Sequence, residues 1–166
     1  MNARAEHPIL SLADFNQPGN LIYGIGNVGR QDDGLGWAFV DWLEQQSDSP
    51  QAELQRHYQL HLEDADLIST FGRVLFIDAS KDAALESFSL TRVQPKMDFS
   101  FSSHAISIPA ILATCQQCFE HAPEVYVLAI RGYAWELEQG LSARAQFNLE
   151  AAIEWISMRR IESCTV

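Results

Sequence analysis

Short apolar runs alternate with stretches of helical periodicity from one end of this chain to the other, and that alternation limits what it can fold into. It is the pattern of an α/β domain built round a mostly parallel sheet. The segment Arg73-Val74-Leu75-Phe76-Ile77-Asp78 shows it best. A continuous apolar run of this kind is what a strand covered on both faces requires, and here it ends on an acid. Further strands are expected at 20–24, 53–61, 88–93 and 124–130. Mixed polarity and the following Pro95 mark 88–93 as an edge strand, and the longest apolar run marks 124–130 as a central one.

Helices are expected between these strands. Leu35, Phe39, Trp42 and Leu43 fall on one helical face, with the helix ending near Gln46. Residues 63–71 form a second helix. Ile108, Ile111, Leu112, Cys115 and Phe119 define a third, with Pro109 in its first turn. The last helix starts at Ser142 as N-cap and buries Ala145, Leu149, Ala152, Ile153 and Ile156. Residues 1–19, with Pro8, Pro18 and Gly19, read as an irregular lead-in to a single domain spanning 1–166. The expected fold is therefore a twisted, mostly parallel sheet of about five strands sandwiched between helices.

Composition narrows the partners. A chain of 166 residues that is 47% hydrophobic has enough apolar material for one core without disulfides. Its net charge of −11 argues against nucleic acid and anionic membrane surfaces, and favours a neutral or cationic partner. No apolar stretch is long enough to span a membrane, and residues 1–7 lack the apolar segment of a secretory signal, so a cytoplasmic protein is expected. Cys115, Cys118 and Cys164 are too few and odd in number for a disulfide framework. Cys115 and Cys118 fall within a helix rather than at its start, and read as core packing instead of a redox pair. His7, His57, His61 and His121 share no pattern and read as solvated.

Residues 24–36 read Gly-Ile-Gly-Asn-Val-Gly-Arg-Gln-Asp-Asp-Gly-Leu-Gly. Gly24, Gly26 and Gly29, following Leu21-Ile22-Tyr23, match the dinucleotide-binding fingerprint. A pyrophosphate needs bare backbone N–H groups, whereas Asp32 and Asp33 supply carboxylate oxygens that suit a cation. The acid expected about 20 residues further on to hold a ribose would be Glu44, which falls on a helix instead of at a strand end. A glycine turn that delivers carboxylates is the better account. No Gly-x-Ser-x-Gly elbow, P-loop or His-Glu-x-x-His helix is present.

Ligands of open α/β sheets bind beyond the carboxyl ends of the strands, where strand order reverses. Asp33 after the first strand, Asp78 at the end of the third, and His104 ahead of a helix could all meet on that rim. Two carboxylates and an imidazole suit a borderline divalent cation such as zinc or nickel, with positions left for water or substrate. Each residue also has a plainer role open to it. Asp32 or Asp33 can cap a helix, and His104 can belong to a simple Ser-Ser-His turn. Adjacent helical residues diverge, so at most one acid of the pair points into the site; Asp33 is the choice, with Asp32 left to cap.

Taken in order, four motifs resemble those of the nickel-iron hydrogenase maturation endopeptidases. They are the glycine-acid stretch 24–36, the apolar strand ending in Asp78-Ala79, Ser103-His104 before an apolar helix, and Gly132 followed by Gly140-Leu141-Ser142. The resemblance implies a hydrolase, related in type to aspartic endopeptidases. It would remove the C-terminal extension of a hydrogenase large-subunit precursor after nickel insertion, and so activate that enzyme. It implies that Asp33, Asp78 and His104 contact the nickel carried by the precursor, with Asp33 and Asp78 catalytic and Asp32, Asn27 and Glu63 in support. A nickel-sensing adaptor that binds the precursor without cutting it, and a dinucleotide-binding domain, are the alternatives. Many relatives carry an Asp-Gly-Gly-Thr turn after the second strand and others a Gln-Leu-x-Pro-Glu-Leu stretch; Gln59-Leu60-His61-Leu62-Glu63-Asp64 is closer to the second but lacks its proline, and Asp33 stands where many have Glu.

Overall fold

The computed structural model describes residues 10–46, 50–97 and 106–158. Their elements are α1 (Leu12–Phe15), β1 (Leu21–Ile25), a 3-10 turn (Gln31–Gly34), α2 (Leu35–Glu44), β2 (Glu53–His57) and α3 (Asp64–Ser69). β3 (Arg73–Ser80), β4 (Phe88–Arg92), α4 (Ile108–Cys118), β5 (Glu124–Arg131) and α5 (Ala143–Ser157) follow. The strands form one sheet in the order β2-β1-β3-β5-β4. All pairings are parallel except β4 with β5. β4 is thus the antiparallel edge strand that its mixed polarity foretold, and β5 is an interior strand, paired on both sides, next to β3 in the middle.

Side chains alternate across the sheet with period two, and each set enters a separate core. Ile22, Leu75, Ile77, Leu128 and Ile130 pack under α2 and α5 with Phe39, Leu43 and Leu149. Leu21, Tyr23, Val74, Phe76 and Val125 pack on the other face under α3 and α4 with Ile68, Ile111 and Cys115. The result is a three-layer sandwich of a mostly parallel five-stranded sheet between helices, as expected. Among the described residues no helix is long and apolar enough to cross a membrane.

Several boundaries differ from expectation. The lead-in contains a short helix, α1, held because Phe15 is fully buried against Tyr126. β2 stops at His57 instead of running to 61, because Asp64 pulls the chain into a turn by accepting the N–H of His61 at 2.7 Å. β3 runs two residues past Asp78. Of the two described cysteines only Cys115 is core; Cys118 lies on the exposed side of α4. His57, His61 and His121 are exposed, though His57 stacks on Tyr23 and His121 bonds the carbonyl of Phe71.

Candidate active site

The strand order places the site. The chain leaves β1 towards β2 on one side and returns to build β3 on the other, so β1 and β3 straddle the point where strand order reverses. Asp33 lies in the loop after β1, and Asp78 lies near the carboxyl end of β3. That rim is where a ligand of such a sheet is expected.

The loop that carries Asp33 folds back on itself. Gly26 has φ +137°, a conformation costly for other residues, and a Cβ there would collide with the carbonyl of Asp33. Gly36 lets the first turn of α2 sit directly on the carbonyls of Ile25 and Ile77, where any side chain would clash. Asn27 shapes the turn between them by accepting the N–H of Gly29 at 2.8 Å through its side chain. Its own N–H donates to Asp33 Oδ2 at 3.0 Å, which fixes the carboxylate over the loop.

These bonds also answer the nucleotide alternative. The N–H groups of Gly26, Asn27, Gly29, Gln31 and Asp32 are already donated to His57, Asp33, Asn27, Glu138 and Ala134 respectively. A pyrophosphate would find them occupied, with a carboxylate standing in its place. Glu44 lies on α2 and pairs with Arg56 at 2.5 Å, far from any ribose-holding position at a strand end.

Asp32 and Asp33 have different partners, and Asp32 does not cap its own helix as expected. Its side chain is fully buried and accepts four hydrogen bonds from the segment after β5. Oδ2 takes the N–H groups of Tyr133 (2.7 Å) and Ala134 (2.8 Å), and Oδ1 takes that of Ser142 (2.7 Å). The Ser142 hydroxyl donates to Oδ2 at 2.8 Å while accepting the Ala145 N–H as N-cap of α5. Burial alone would raise the pKa of this carboxyl, but the donors from Tyr133, Ser142 and Ala134 outweigh it and hold it below its ordinary value. Asp32 is the pin that locks the β5–α5 connection to the site loop, and it does so in ionised form. Buried charge was its missed signal: only the tertiary structure shows that the partners come from 133–142.

Asp78 presents the opposite case. Burial, followed by the negative charge of Asp33, pushes its carboxyl up to about 6, against a smaller lowering by the N–H of Ala79. The two acids therefore feel one another across the rim. Asp78 also lines a cleft of about 680 Å³ together with Ile25, Leu60, Val127 and the start of α4.

The other expected participants divide. Asn27 belongs to the site loop. Glu63 is exposed at the start of α3, and its neighbour Asp64 is a buried structural acid that accepts the Tyr23 hydroxyl at 3.0 Å. His104 lies outside the described residues. Among the described residues no three His, Cys, Asp or Glu side chains gather into a metal-holding group.

Solved structures share this architecture. The fold is that of the hydrogenase maturation endopeptidases. The hydrogenase maturating endopeptidase HybD from E. coli superposes with a TM-score of 0.64 at 18% identity, covering 82% of this chain and 88% of HybD. The [NiFe] hydrogenase maturation protease HycI from Thermococcus kodakarensis KOD1 gives 0.67 at 16% identity, over 88% and 96% of the two chains. An endopeptidase from Escherichia coli gives 0.65 at 20% identity, over 82% and 88%. No family model matches the chain, and no curated protein matches it in sequence.

Proposed function

We propose that this protein is an endopeptidase that removes the C-terminal extension of a nickel-iron hydrogenase large-subunit precursor in the cytoplasm, after nickel has been inserted. The observation that carries this reading is that Asp33, after β1, and Asp78, near the end of β3, flank the point where strand order reverses, with the charge of Asp33 adding to the burial that raises the Asp78 carboxyl. Two carboxylates held together in partial burial favour a cation between them. The shared fold and the four sequence motifs supply the reaction class.

In this reading the nickel arrives as part of the substrate. Asp33 and Asp78 would supply oxygen ligands and His104 a nitrogen, a set that suits a borderline cation. Ile106, two residues after His104 in sequence, lines the same cleft as Asp78. The bound metal would orient the scissile peptide and could polarise its carbonyl or activate water. Asp33, fixed by the N–H of Asn27, would act mainly in positioning. Asp78, whose carboxyl burial and the charge of Asp33 push up to about 6, would hold the ion through one oxygen and take the proton of the attacking water on the other, returning it to the leaving amine.

The test is to incubate the purified protein with nickel-loaded precursor and follow the precursor's mass. Loss of the extension is the expected result. An intact precursor, under conditions in which its cognate maturation system cuts it, would refute the proposal. Separate Asp33→Ala, Asp78→Ala and His104→Ala variants, assayed for both binding and cleavage, distinguish the processing enzyme from a nickel-sensing adaptor.

A further inference from the structure

This chain carries 22 acids against 11 lysines and arginines, yet two of its arginines are gathered on one aromatic ring. Arg56 pairs with Asp41 and Glu44, and Arg73 with Glu124. Arg131 and Arg144 have no carboxylate in ion-pair reach among the described residues. Their guanidinium carbons lie instead 4.9 and 3.8 Å from the centre of the Tyr133 ring. Of the acids nearby in sequence, Glu138 accepts the Gln31 amide, Glu150 accepts the Gln146 amide, and Glu86 forms no ion pair among the described residues.

Local physics opposes this arrangement as it stands. Two guanidinium groups on one ring repel each other, and the attraction of the ring for each is only a partial offset. Arg144 is the second residue of α5, where the helix dipole opposes a cation, and the first turn of that helix holds no acid to balance it. The ring is nevertheless firmly held. The Tyr133 N–H is donated to Asp32, and the Asn148 amide, at 5% exposure, donates to the Tyr133 hydroxyl and the Arg131 carbonyl, both at 3.0 Å. Tyr133, Ala143, Arg144, Phe147 and Asn148 line a hollow of about 360 Å³, and Phe147 is 70% exposed.

The hollow adjoins the rim that carries the acids without being part of it. Arg131 closes β5 level with Ser80 of β3, two residues beyond Asp78. A folded substrate whose C-terminal segment reaches Asp33 and Asp78 has its body within reach of this hollow.

We propose that the hollow docks an acidic segment of the precursor's folded body, remote from the bond that is cut, with one carboxylate against Arg131 and Arg144 and an apolar neighbour against Tyr133 and Phe147. The proposal rests on the processing reading and names the feature by which the enzyme holds its partner. A guanidinium fork matches a carboxylate in two-point contact, and an arriving anion removes the repulsion between the two arginines. A second copy of this chain is the poorer occupant, because two bodies of net charge −11 repel.

Arg144→Glu reverses the charge where the helix dipole favours an acid, and Phe147→Ser removes only exposed apolar area, so both variants should fold. Binding is measured with nickel-loaded precursor and with large subunit already trimmed of its extension, and cleavage of the precursor supplies KM and kcat. Arg144→Glu is expected to raise both dissociation constants and KM about tenfold or more with kcat little changed, and Phe147→Ser to raise them about threefold. Raising the salt from about 50 to about 300 mM should weaken binding to the parent and affect Arg144→Glu much less. Parent-like affinity and KM in both folded variants would overturn the docking point while leaving the protease reading intact. A parent dimer in sedimentation that Arg144→Glu disperses would overturn it too, because the hollow would then hold a second copy. If the parent binds the trimmed large subunit and Arg144→Glu does not, yet the parent never cuts the precursor, the docking point stands and the protease reading falls.

Discussion

Asp32 and Asp78 are both acids removed from water, and they are driven in opposite directions. Asp32 is the more completely buried, yet its pKa is lowered, because three backbone N–H groups and a hydroxyl converge on it. Asp78 keeps some contact with solvent, yet its pKa rises to about 6, because only the N–H of Ala79 opposes its burial and the charge of Asp33 adds to it. Burial depth therefore does not tell a structural acid from a reactive one. The supply of donors does, and a carboxylate left short of donors beside another negative charge is the one poised for a cation or a proton.

The comparison breaks most visibly if Asp32 is replaced. Asp32→Ala leaves the N–H groups of Tyr133, Ala134 and Ser142 without an acceptor, and should cost about 3 kcal/mol or more of stability. Urea denaturation followed by circular dichroism measures it; a loss below about 0.5 kcal/mol would show that the β5–α5 connection holds without its pin. Asp78→Asn should do the reverse, gaining on the order of 1 kcal/mol at pH 7 because a strained charge is removed, after a discount for solvent reaching the side chain. The same variant should lose cleavage by about 100-fold or more. Stability gained and activity lost at one position is the signature of a functional acid.

The pH dependence carries opposite signs for the two residues. Asp78 holds its proton more tightly folded than unfolded, so its contribution makes stability fall as pH rises from about 4 to about 6. Asp32 releases its proton more readily when folded, so its contribution is present above about pH 4 and is lost as pH falls through its lowered folded value. Melting temperatures of the parent and of Asp78→Asn should diverge above pH 4 and level off past pH 6. Curves that run parallel across this range would contradict the assignment.

The smallest expected effect is also the sharpest. Asp33→Asn removes the neighbouring charge, so the Asp78 carboxyl should titrate lower, by less than the part that burial raises it. NMR of labelled aspartate side chains can follow it, and an unchanged Asp78 would show that the two acids do not meet on one rim.

How far this site could be read from the sequence differs from residue to residue. Asp78 stands out because an acid after Val-Leu-Phe-Ile has no packing purpose, and Asp33 because a glycine turn delivers it to a strand end. The layer order was equally legible, since continuous apolar runs and helical periodicity report covered strands and amphipathic helices directly. Asp32 was misjudged because a local pattern, acids at a helix start, suggests capping, whereas its partners lie about a hundred residues away along the chain. Helix α1 escapes the pattern because four residues carry too little periodicity, and Phe15 is fixed by Tyr126 of β5, far away along the chain.

The division of labour between these acids is tested most directly by giving nickel-loaded precursor to Asp78→Asn protein, at a concentration matched to the parent by folded fraction, and weighing the precursor by mass spectrometry over time. The account predicts a precursor that keeps its C-terminal extension while the more stable variant remains fully folded. Release of the extension at the parent rate would contradict it.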